Sequence, residues 1–267
     1  MSEVRVLATG LRFPEGPAFD AQGRLWCVEQ AGEGLFCWHR DGTTSRVRTG
    51  GQPNGAVVCD DFLWFCDSDN NAIRRLNLTT LAVEIMLDEI AGQPLNKPND
   101  LVFDYLGNLL FTCSGLPDDN QPGYLAVLPH HGPAEIIADE LIYPNGLAFF
   151  PNQHALLLAE TYRQRIWQGY WDGEGLSWET IRPWATVGAA PSGAPLPGPD
   201  GLAVGPDGNL YVAVFGESRI AVLSAEGAFV RDIKLPGRNP SNCLFDPTGE
   251  LGLIVTETER GELLSIV

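Results

Sequence analysis

Six side chains that carry an oxygen atom occupy corresponding places along the chain, each directly after a proline. They are Glu15, Asn54, Asn99, Asn145, Asp200 and Ser241. Glu15, Asn145 and Asp200 offer two carboxylates and an amide carbonyl, an all-oxygen set that suits Ca2+, with Mg2+ or Mn2+ also acceptable. Asn, Asp and Ser also satisfy ordinary turns at strand starts, which is the alternative for any one of these positions. Because all six residues occupy the same position, directly after a proline, the pattern favours a metal site.

Each of these residues belongs to a repeated segment, here called a cassette, which starts at the proline and runs into apolar residues. The copies read Pro14-Glu15-Gly16-Pro17-Ala18-Phe19, Pro53-Asn54-Gly55-Ala56-Val57-Val58, Pro98-Asn99-Asp100-Leu101-Val102-Phe103, Pro144-Asn145-Gly146-Leu147-Ala148-Phe149, Pro199-Asp200-Gly201-Leu202-Ala203-Val204 and Pro240-Ser241-Asn242-Cys243-Leu244-Phe245. Successive prolines are 39, 45, 46, 55 and 41 residues apart, a period typical of β-propeller blades. If each cassette begins the strand nearest the central axis, the six oxygen-bearing groups meet at one mouth of the channel.

A second apolar run follows each cassette after a turn rich in Asp, Pro and Gly, which predicts hairpins. The opening run Val4–Ala8 alternates like a strand, and we expect it to pair with the run 263–266, because this pairing removes two exposed sheet edges. The sequence therefore predicts an all-β fold. Residues 1–267 form a single six-bladed propeller domain in this prediction, and the N-terminal strand closes the last blade.

Two insertions interrupt the repeat. One spans residues 114–122 and the other residues 187–197, and both consist of polar or small residues without a strand pattern. Because loops on a rigid scaffold often carry specificity, we expect both to line the rim of the pocket.

Composition excludes several classes of partner. The formal net charge of −17 and the pI near 4.5 argue against binding to nucleic acid or to an anionic membrane, since both need a basic face. The first residues lack the features of a secretory signal, and no apolar run is long enough to span a bilayer. These observations predict a cytoplasmic protein, in which the six cysteines, none with CxxC spacing, are reduced and mostly buried.

Other catalytic chemistries have little support. The four histidines lie in turn or outer-strand contexts, which argues against a zinc site built from His and Cys; they are His39, His130, His131 and His154. No Ser-His-Asp arrangement and no Gly-rich phosphate loop after a strand is recognisable. We therefore discount a serine esterase and a nucleotide-dependent enzyme.

Four segments of the chain resemble a known family. They are Phe13-Pro14-Glu15-Gly16-Pro17, Lys97-Pro98-Asn99-Asp100-Leu101, Tyr143-Pro144-Asn145-Gly146-Leu147 and Gly198-Pro199-Asp200-Gly201-Leu202. The motifs are short but jointly specific. They are similar to those of the senescence-marker-protein/gluconolactonase family, which includes regucalcin, bacterial sugar lactonases and luciferin-regenerating enzyme, and the resemblance covers essentially the whole chain.

The resemblance implies one divalent cation, Ca2+ in the first place and Mg2+, Mn2+ or Zn2+ as alternatives. Its implied ligands are Glu15, Asn145 and Asp200. Asn99 would contact the substrate and could reach the metal. Lys97 stands where an arginine of the animal members touches the sugar, and a lysine presents a point charge instead of a planar fork.

Three further residues are weaker candidates for the pocket: Asn54 and the loop acids Asp118 and Asp119. Cys113 departs from the family, in which an Asp is frequent at the matching strand end. The sequence alone gives no physical account of that change.

The expected activity is the opening of a sugar lactone, such as gluconolactone or a pentonolactone, to the aldonic acid. The cation would polarise the ester as a Lewis acid, and Asp200 would activate the attacking water, although a water activated by the cation itself is an equal variant. Asn99 and Lys97 would orient hydroxyl groups or stabilise negative charge on the carbonyl oxygen. The alternatives are phosphotriester hydrolysis at the same site and a propeller that binds a cation or a protein without catalysis.

Overall fold

The fold is a ring of six blades, seen in a computed structural model that describes residues 3–116, 118, 120–151, 154–188 and 197–267. Each blade is a four-stranded antiparallel sheet. The first strands of neighbouring blades contact one another around a closed circle, in which the sixth also contacts the first. This arrangement confirms the predicted all-β, six-bladed propeller.

The strands fall into four layers from the channel outwards. The innermost strands are β2 (Pro14–Phe19), β6 (Pro53–Cys59), β12 (Pro98–Phe103), β16 (Pro144–Phe149), β20 (Gly198–Val204) and β24 (Pro240–Phe245). The second strands are β3 (Leu25–Glu29), β7 (Phe62–Asp67), β13 (Leu109–Cys113), β17 (Ala155–Glu160), β21 (Leu210–Phe215) and β25 (Leu253–Glu257). The third strands are β4 (Gly34–Trp38), β8 (Ala72–Asn77), β14 (Gly123–Leu128), β18 (Arg165–Asp172), β22 (Arg219–Leu223) and β26 (Glu262–Ile266). The outermost strands are β5 (Thr44–Arg48), β9 (Val83–Leu87), β15 (Glu135–Leu141), β19 (Ser177–Thr186), β23 (Phe229–Lys234) and β1 (Val4–Ala8).

Short elements complete the described chain. The two-residue strands β10 (Glu89–Ile90) and β11 (Gln93–Pro94) form a small ribbon before the third blade. Single 3-10 turns span Gln30–Gly32 and Thr161–Arg163. No helix in the described stretches has the length and apolar character needed to cross a membrane.

The ring is closed by the two ends of the chain. Strand β1 pairs antiparallel with β26, and Val4 lies opposite Ile266. A polar contact supports the same junction, because the Arg40 guanidinium of the first blade donates to Asp246 at 2.9 Å and to Glu250 at 2.7 Å in the sixth. The prediction that the N-terminal strand closes the last blade is confirmed.

The core lies between the blades. Six apolar clusters each join two neighbouring sheets; Leu157 of the fourth blade, for example, shares a cluster with Val212 of the fifth. Since side chains of a strand alternate between the two faces of its sheet, each blade can pack on both neighbours. Five of the six cysteines are buried, Cys59 is half-buried, and all six are free thiols, as predicted.

Every innermost strand is irregular at its cassette. The pairing register between the first and second strands shifts directly after the proline in five blades and after Glu15 in the first blade. A bulge of this kind bends the strand and changes the direction of the side chains at that point. The cassettes therefore leave the regular sheet at the place where their oxygen-bearing residues stand.

An acid at the end of the second strand holds the chain as it enters the cassette. Its carboxylate accepts a hydrogen bond from a backbone N–H one or two residues before the proline, at 2.8–3.1 Å. The donor and acceptor pairs are Arg12 to Glu29, Gln52 to Asp67, Ile142 to Glu160, and Asn239 to Glu257. In the third blade Cys113 replaces this acid. There the Asn96 N–H donates to the hydroxyl of Tyr124 at 3.3 Å, so a phenol on the neighbouring strand accepts the hydrogen bond that a carboxylate accepts in those four blades.

Candidate active site

One mouth of the channel contains a pocket of about 120 Å³. Five of the six oxygen-bearing residues line it, each less than a tenth exposed: Glu15, Asn54, Asn99, Asn145 and Asp200. The rest of its wall consists of Phe13, Gln30, Tyr143, Thr161 and Phe215. The shared offset after the proline thus brings residues from five blades together.

The remaining predicted residues lie outside this wall. The Ser241 hydroxyl, the sixth of the series, is fully buried and donates to the Pro14 carbonyl at 2.8 Å. The Lys97 ammonium donates to the Ser68 carbonyl at 2.9 Å. Asp118 is exposed, and burial and then the charge of Asp118 raise the pKa of Tyr162. Asp119 lies outside the described residues, as does most of the insertion at 187–197, of which Val187 packs into the core between the fourth and fifth blades.

Three residues directly before cassette prolines have left-handed backbone conformations. Phe13, Lys97 and Tyr143 have φ values of 58°, 57° and 60°. Such a conformation costs on the order of 1–3 kcal/mol for a non-glycine residue and is disfavoured further before proline. Phe13 and Tyr143 line the pocket, and the Tyr143 ring stacks on Tyr162 with centroids 4.6 Å apart. Two of the three strained residues, Phe13 and Tyr143, thus form an aromatic part of the pocket wall.

The acids at the floor of the pocket are unfavourably placed for ionisation. Burial and then the charge of Asp100 raise the pKa of Glu15 to about 8. Burial and then the charges of Glu15 and Asp100 raise the pKa of Asp200 well above its usual range. No Arg or Lys in the described part of the chain forms an ion pair with any of these three carboxyls.

Asp100 belongs to this cluster, although it was not among the predicted site residues. Asp100 is buried, which raises its pKa to about 6, and it accepts N–H groups from Leu101 at 2.9 Å and Leu147 at 3.4 Å. Asn242 accepts the N–H of Cys243 at 2.8 Å, and its side chain also hydrogen-bonds Asp100. A signal was present in the cassettes: the second position after the proline is glycine in four copies and Asp100 or Asn242 in the other two.

Two of the glycines at this position make room for the two polar side chains. A Cβ atom on Gly55 would overlap Asp100, and one on Gly201 would overlap the Asn242 amide. Since the third and sixth blades lie opposite each other in a six-bladed ring, Asp100 and Asn242 meet across the channel. They separate the polar pocket from the opposite mouth.

The donor set fits a divalent cation. The three clustered carboxyls repel one another, since no Arg or Lys among the described residues pairs with them, and a cation would relieve this repulsion. No trio of Asp, Glu, His or Cys side chains in the described stretches is arranged to hold a metal without other ligands. The predicted set takes its third ligand from the amide of Asn145, which lines the same pocket as Glu15 and Asp200.

Comparisons with known proteins agree with this fold. A family model described as "SMP-30/Gluconolactonase/LRE-like region" matches residues 13–259. A gluconolactonase of Zymomonas mobilis is 26% identical over 279 residues, which cover 92% of this chain and 77% of the relative. A diisopropyl-fluorophosphatase of Loligo vulgaris is 28% identical over 284 residues, covering 92% of this chain and 86% of the relative.

Solved structures include close matches to the whole propeller. A gluconolactonase from Xanthomonas campestris superposes with a TM-score of 0.85 at 28% identity, covering 99% of this chain and 89% of the other. A calcium-binding regucalcin from Agrobacterium tumefaciens gives 0.84 at 18% identity, covering 99% and 93%. The second likeness concerns the fold alone.

Proposed function

Because the chain belongs to the SMP-30/gluconolactonase/LRE-like family and is a lactonase-type hydrolase, we propose that it opens a sugar aldonolactone to the aldonic acid with the aid of one divalent cation. The observation that carries the proposal is a cluster of three buried acids that form no ion pair with Arg or Lys in the described ranges: Glu15 and Asp200 in the wall of the amide-lined pocket, and Asp100 behind them. Such a cluster is costly for folding and is therefore best explained by a function.

Glu15, Asn145 and Asp200 would hold the cation, with Ca2+ as the first choice for an all-oxygen set. When bound, it supplies Lewis-acid polarisation of the ester carbonyl. Asp100 lies behind this set and contributes negative charge to the site.

Asp200 is the proposed general base. Its carboxylate lines the pocket together with the proposed ligands Glu15 and Asn145, and a positioned carboxylate can accept a proton from water in the transition state. It would take a proton from water as the water oxygen bonds to the carbonyl carbon, and return a proton to the ring oxygen when the ring C–O bond breaks. The Asn99 amide, on the same wall, would donate to the oxygen on which negative charge develops.

Substrate hydroxyl groups would bind to Asn54 and Asn99, both of which line the pocket. Lys97 would contact the sugar only after its ammonium leaves the Ser68 carbonyl. Asp118 and Asp119 remain proposed contacts from the insertion at the rim.

Phosphotriester hydrolysis is the second candidate, favoured by the 28% identity to the Loligo diisopropyl-fluorophosphatase over 92% of this chain. The same cation and carboxylate could polarise a phosphoryl oxygen and activate water. Both activities therefore belong in the first assay.

The test is acid release in a pH-stat from a panel of aldono-1,4- and 1,5-lactones and a phosphotriester. Chelator-treated protein would be assayed alone and with Ca2+, Mg2+, Mn2+ or Zn2+. We expect hydrolysis that depends on the cation and falls at least about 1000-fold in Asp200→Asn, because that variant loses both a ligand and the base. Asp207→Asn, an exposed acid on the same blade, is the control and should keep full activity. Cation binding without hydrolysis of any substrate would contradict the proposal and favour a non-catalytic role.

A further inference from the structure

Four cassettes have the carbonyl of their proline held by a hydroxyl group from the preceding blade. The donors and acceptors are Ser241 to Pro14 at 2.8 Å, Ser68 to Pro98 at 2.9 Å, Ser114 to Pro144 at 3.0 Å, and Thr161 to Pro199 at 2.8 Å. These four residues are here called the clamp hydroxyls. All are less than a tenth exposed, so water does not compete freely for these bonds.

The clamped cassettes are those that carry Glu15, Asn99, Asn145 and Asp200. In the described chain, no side-chain hydroxyl donates to the carbonyl of Pro53 or of Pro240, the prolines of the other two cassettes. The sequence explains this difference. The place of Ser68, Ser114 and Thr161, directly after the second strand, is taken by Gln30 in the blade before Pro53 and by Gly216 in the blade before Pro240.

A clamp on this carbonyl controls the direction of the next side chain. Proline fixes its own φ, so its ψ is the soft dihedral that remains between the ring and the following peptide group. A hydrogen bond to the proline carbonyl fixes that ψ and with it the plane of the peptide bond. The residue bonded to this peptide is the proposed ligand or substrate contact.

Three of the clamp hydroxyls are themselves anchored in their own blade. The N–H groups of Ser68, Ser114 and Thr161 donate to the carbonyl just before their own cassette proline, at Gln52, Lys97 and Tyr143, over 2.8–3.1 Å. Each residue therefore connects the entry of one cassette to the proline of the next. The connections run in series from the second blade to the fifth.

Thr161 makes one more contact, with a proposed ligand itself. Its hydroxyl accepts the side-chain N–H of Asn145 at 3.3 Å while it donates to Pro199. With its nitrogen engaged in this way, the Asn145 amide can direct its oxygen towards the pocket that both residues line. One hydroxyl thereby orients Asn145 and the peptide of Asp200 together.

We propose that Ser68, Ser114, Thr161 and Ser241 are positioning residues, which set the geometry of the cation and substrate site through the proline carbonyls of the neighbouring blades. This inference rests on the proposed function, since it concerns how firmly Glu15, Asn99, Asn145 and Asp200 are held. Cation affinity then depends on the hydrogen bonds that hold each blade to the next, and not only on the side chains in the pocket.

The test measures cation affinity by calorimetric titration of chelator-treated protein with Ca2+ and, in parallel, thermal unfolding. Ser114→Ala and Thr161→Val should weaken binding by about 10-fold or more, the effect typical of partners that orient metal ligands. Thr161→Val should have the larger effect because the Thr161 hydroxyl bonds both the Asn145 side chain and the Pro199 carbonyl. Ser114→Thr and Thr161→Ser, which retain a hydroxyl, should recover most of the affinity.

Thr258→Val is the matched control. Thr258 follows the second strand of the sixth blade, and its hydroxyl donates to Asn239 of its own blade at 3.3 Å, so it clamps no neighbouring proline. It should lower the melting temperature without a change in cation affinity. Ser68→Ala should raise the KM for the lactone more than it lowers kcat, because it acts through Asn99.

Affinities for Ser114→Ala and Thr161→Val within about twofold of the parent, with melting temperatures lowered as in Thr258→Val, would overturn the inference and leave the proposed function intact. A parent protein that binds none of the divalent cations would overturn both. Loss of affinity in the Ala and Val variants, with recovery in the hydroxyl-retaining variants, supports the inference.

Discussion

The two mouths of the central channel are built from the same six strands and have opposite chemistry. At one mouth the residues that follow the prolines bring carboxylates and amides together, while the other contains a cavity of about 480 Å³ lined mainly by Ala, Val, Leu and Phe side chains. Both surfaces come from one cassette, polar at its start and apolar at its end. The difference shows that the position of a residue within its innermost strand decides which mouth the residue lines, and that the blade to which the strand belongs does not.

Asp100 marks the boundary between these mouths. It lines the apolar cavity, yet its charge raises the pKa values of Glu15 and Asp200 in the polar pocket. Asn242 lies beside it and also lines the apolar cavity. The electrostatic field of the site thus extends beyond its own wall, to the second position of the cassettes.

The largest effect is expected for Glu15→Gln, which keeps the shape of the side chain and removes its charge. Cation affinity should fall by about 100-fold or more. The cation-free variant should nevertheless be more stable than the parent near pH 8. A carboxyl whose pKa is raised in the folded state lowers the free energy of unfolding of the protein as the pH rises towards and through that pKa, here about 8. Glutamine does not ionise, so the variant avoids this loss. Calorimetric titration and thermal unfolding at several pH values measure both changes.

Glu250→Gln is the matching change near the opposite mouth, where the carboxylate is exposed and pairs with Arg40 at 2.7 Å. It should leave cation affinity unchanged. Equal losses of affinity in the two variants would mean that the polar mouth is not the cation site.

The repeat made most of the fold predictable, because the prolines fix where each blade begins and the shared offset fixes which residues follow. The six blades and the meeting of Glu15, Asn145 and Asp200 at one mouth follow from the spacing. The closure by Val4–Ala8 follows from the alternating pattern of that run and from the removal of exposed sheet edges. The roles of these residues remain predictions.

What the spacing could not supply were contacts across blade boundaries. Ser114 and Thr161 reach prolines 30 and 38 residues later in the chain, and the repeat defines neighbouring blades without defining which side chains cross between them. The direction of the Lys97 side chain could not be predicted either, since its left-handed backbone conformation and its hydrogen bond to the Ser68 carbonyl depend on the local turn. Asp100 was readable in principle as a departure from glycine, but only a structure shows that it meets Asn242.

An intermediate effect is expected for Asp100→Asn at the boundary. Protons compete with the cation for Glu15 and Asp200, so affinity in the parent should rise with pH from about 4, the ordinary carboxyl pKa, towards about 8. Because the Asp100 charge adds to burial in raising the pKa values of both acids, its removal should move the midpoint of this profile to lower pH. Calorimetric titration across this range gives the midpoint.

At the alkaline end the same variant should bind the cation more weakly, because one attractive charge is lost. Asp139→Asn, an exposed acid on the same blade, should leave the profile where it is. A midpoint that stays fixed or moves to higher pH in Asp100→Asn would show that the boundary does not act on the polar mouth.

The smallest effect on the site is expected for Phe245→Leu, at the apolar mouth. The Phe245 ring lies edge-on to Tyr211 with centroids 4.8 Å apart, and loss of such an aromatic pair costs about 1 kcal/mol. The melting temperature should therefore fall by about 2–4 °C, while cation affinity and kcat stay at the parent values. Phe215→Leu makes the same change in the wall of the polar pocket and should alter the KM for the lactone. If Phe245→Leu changed KM as much as Phe215→Leu does, the two mouths would not be functionally separate, and Asp100 and Asn242 would not be a boundary between them.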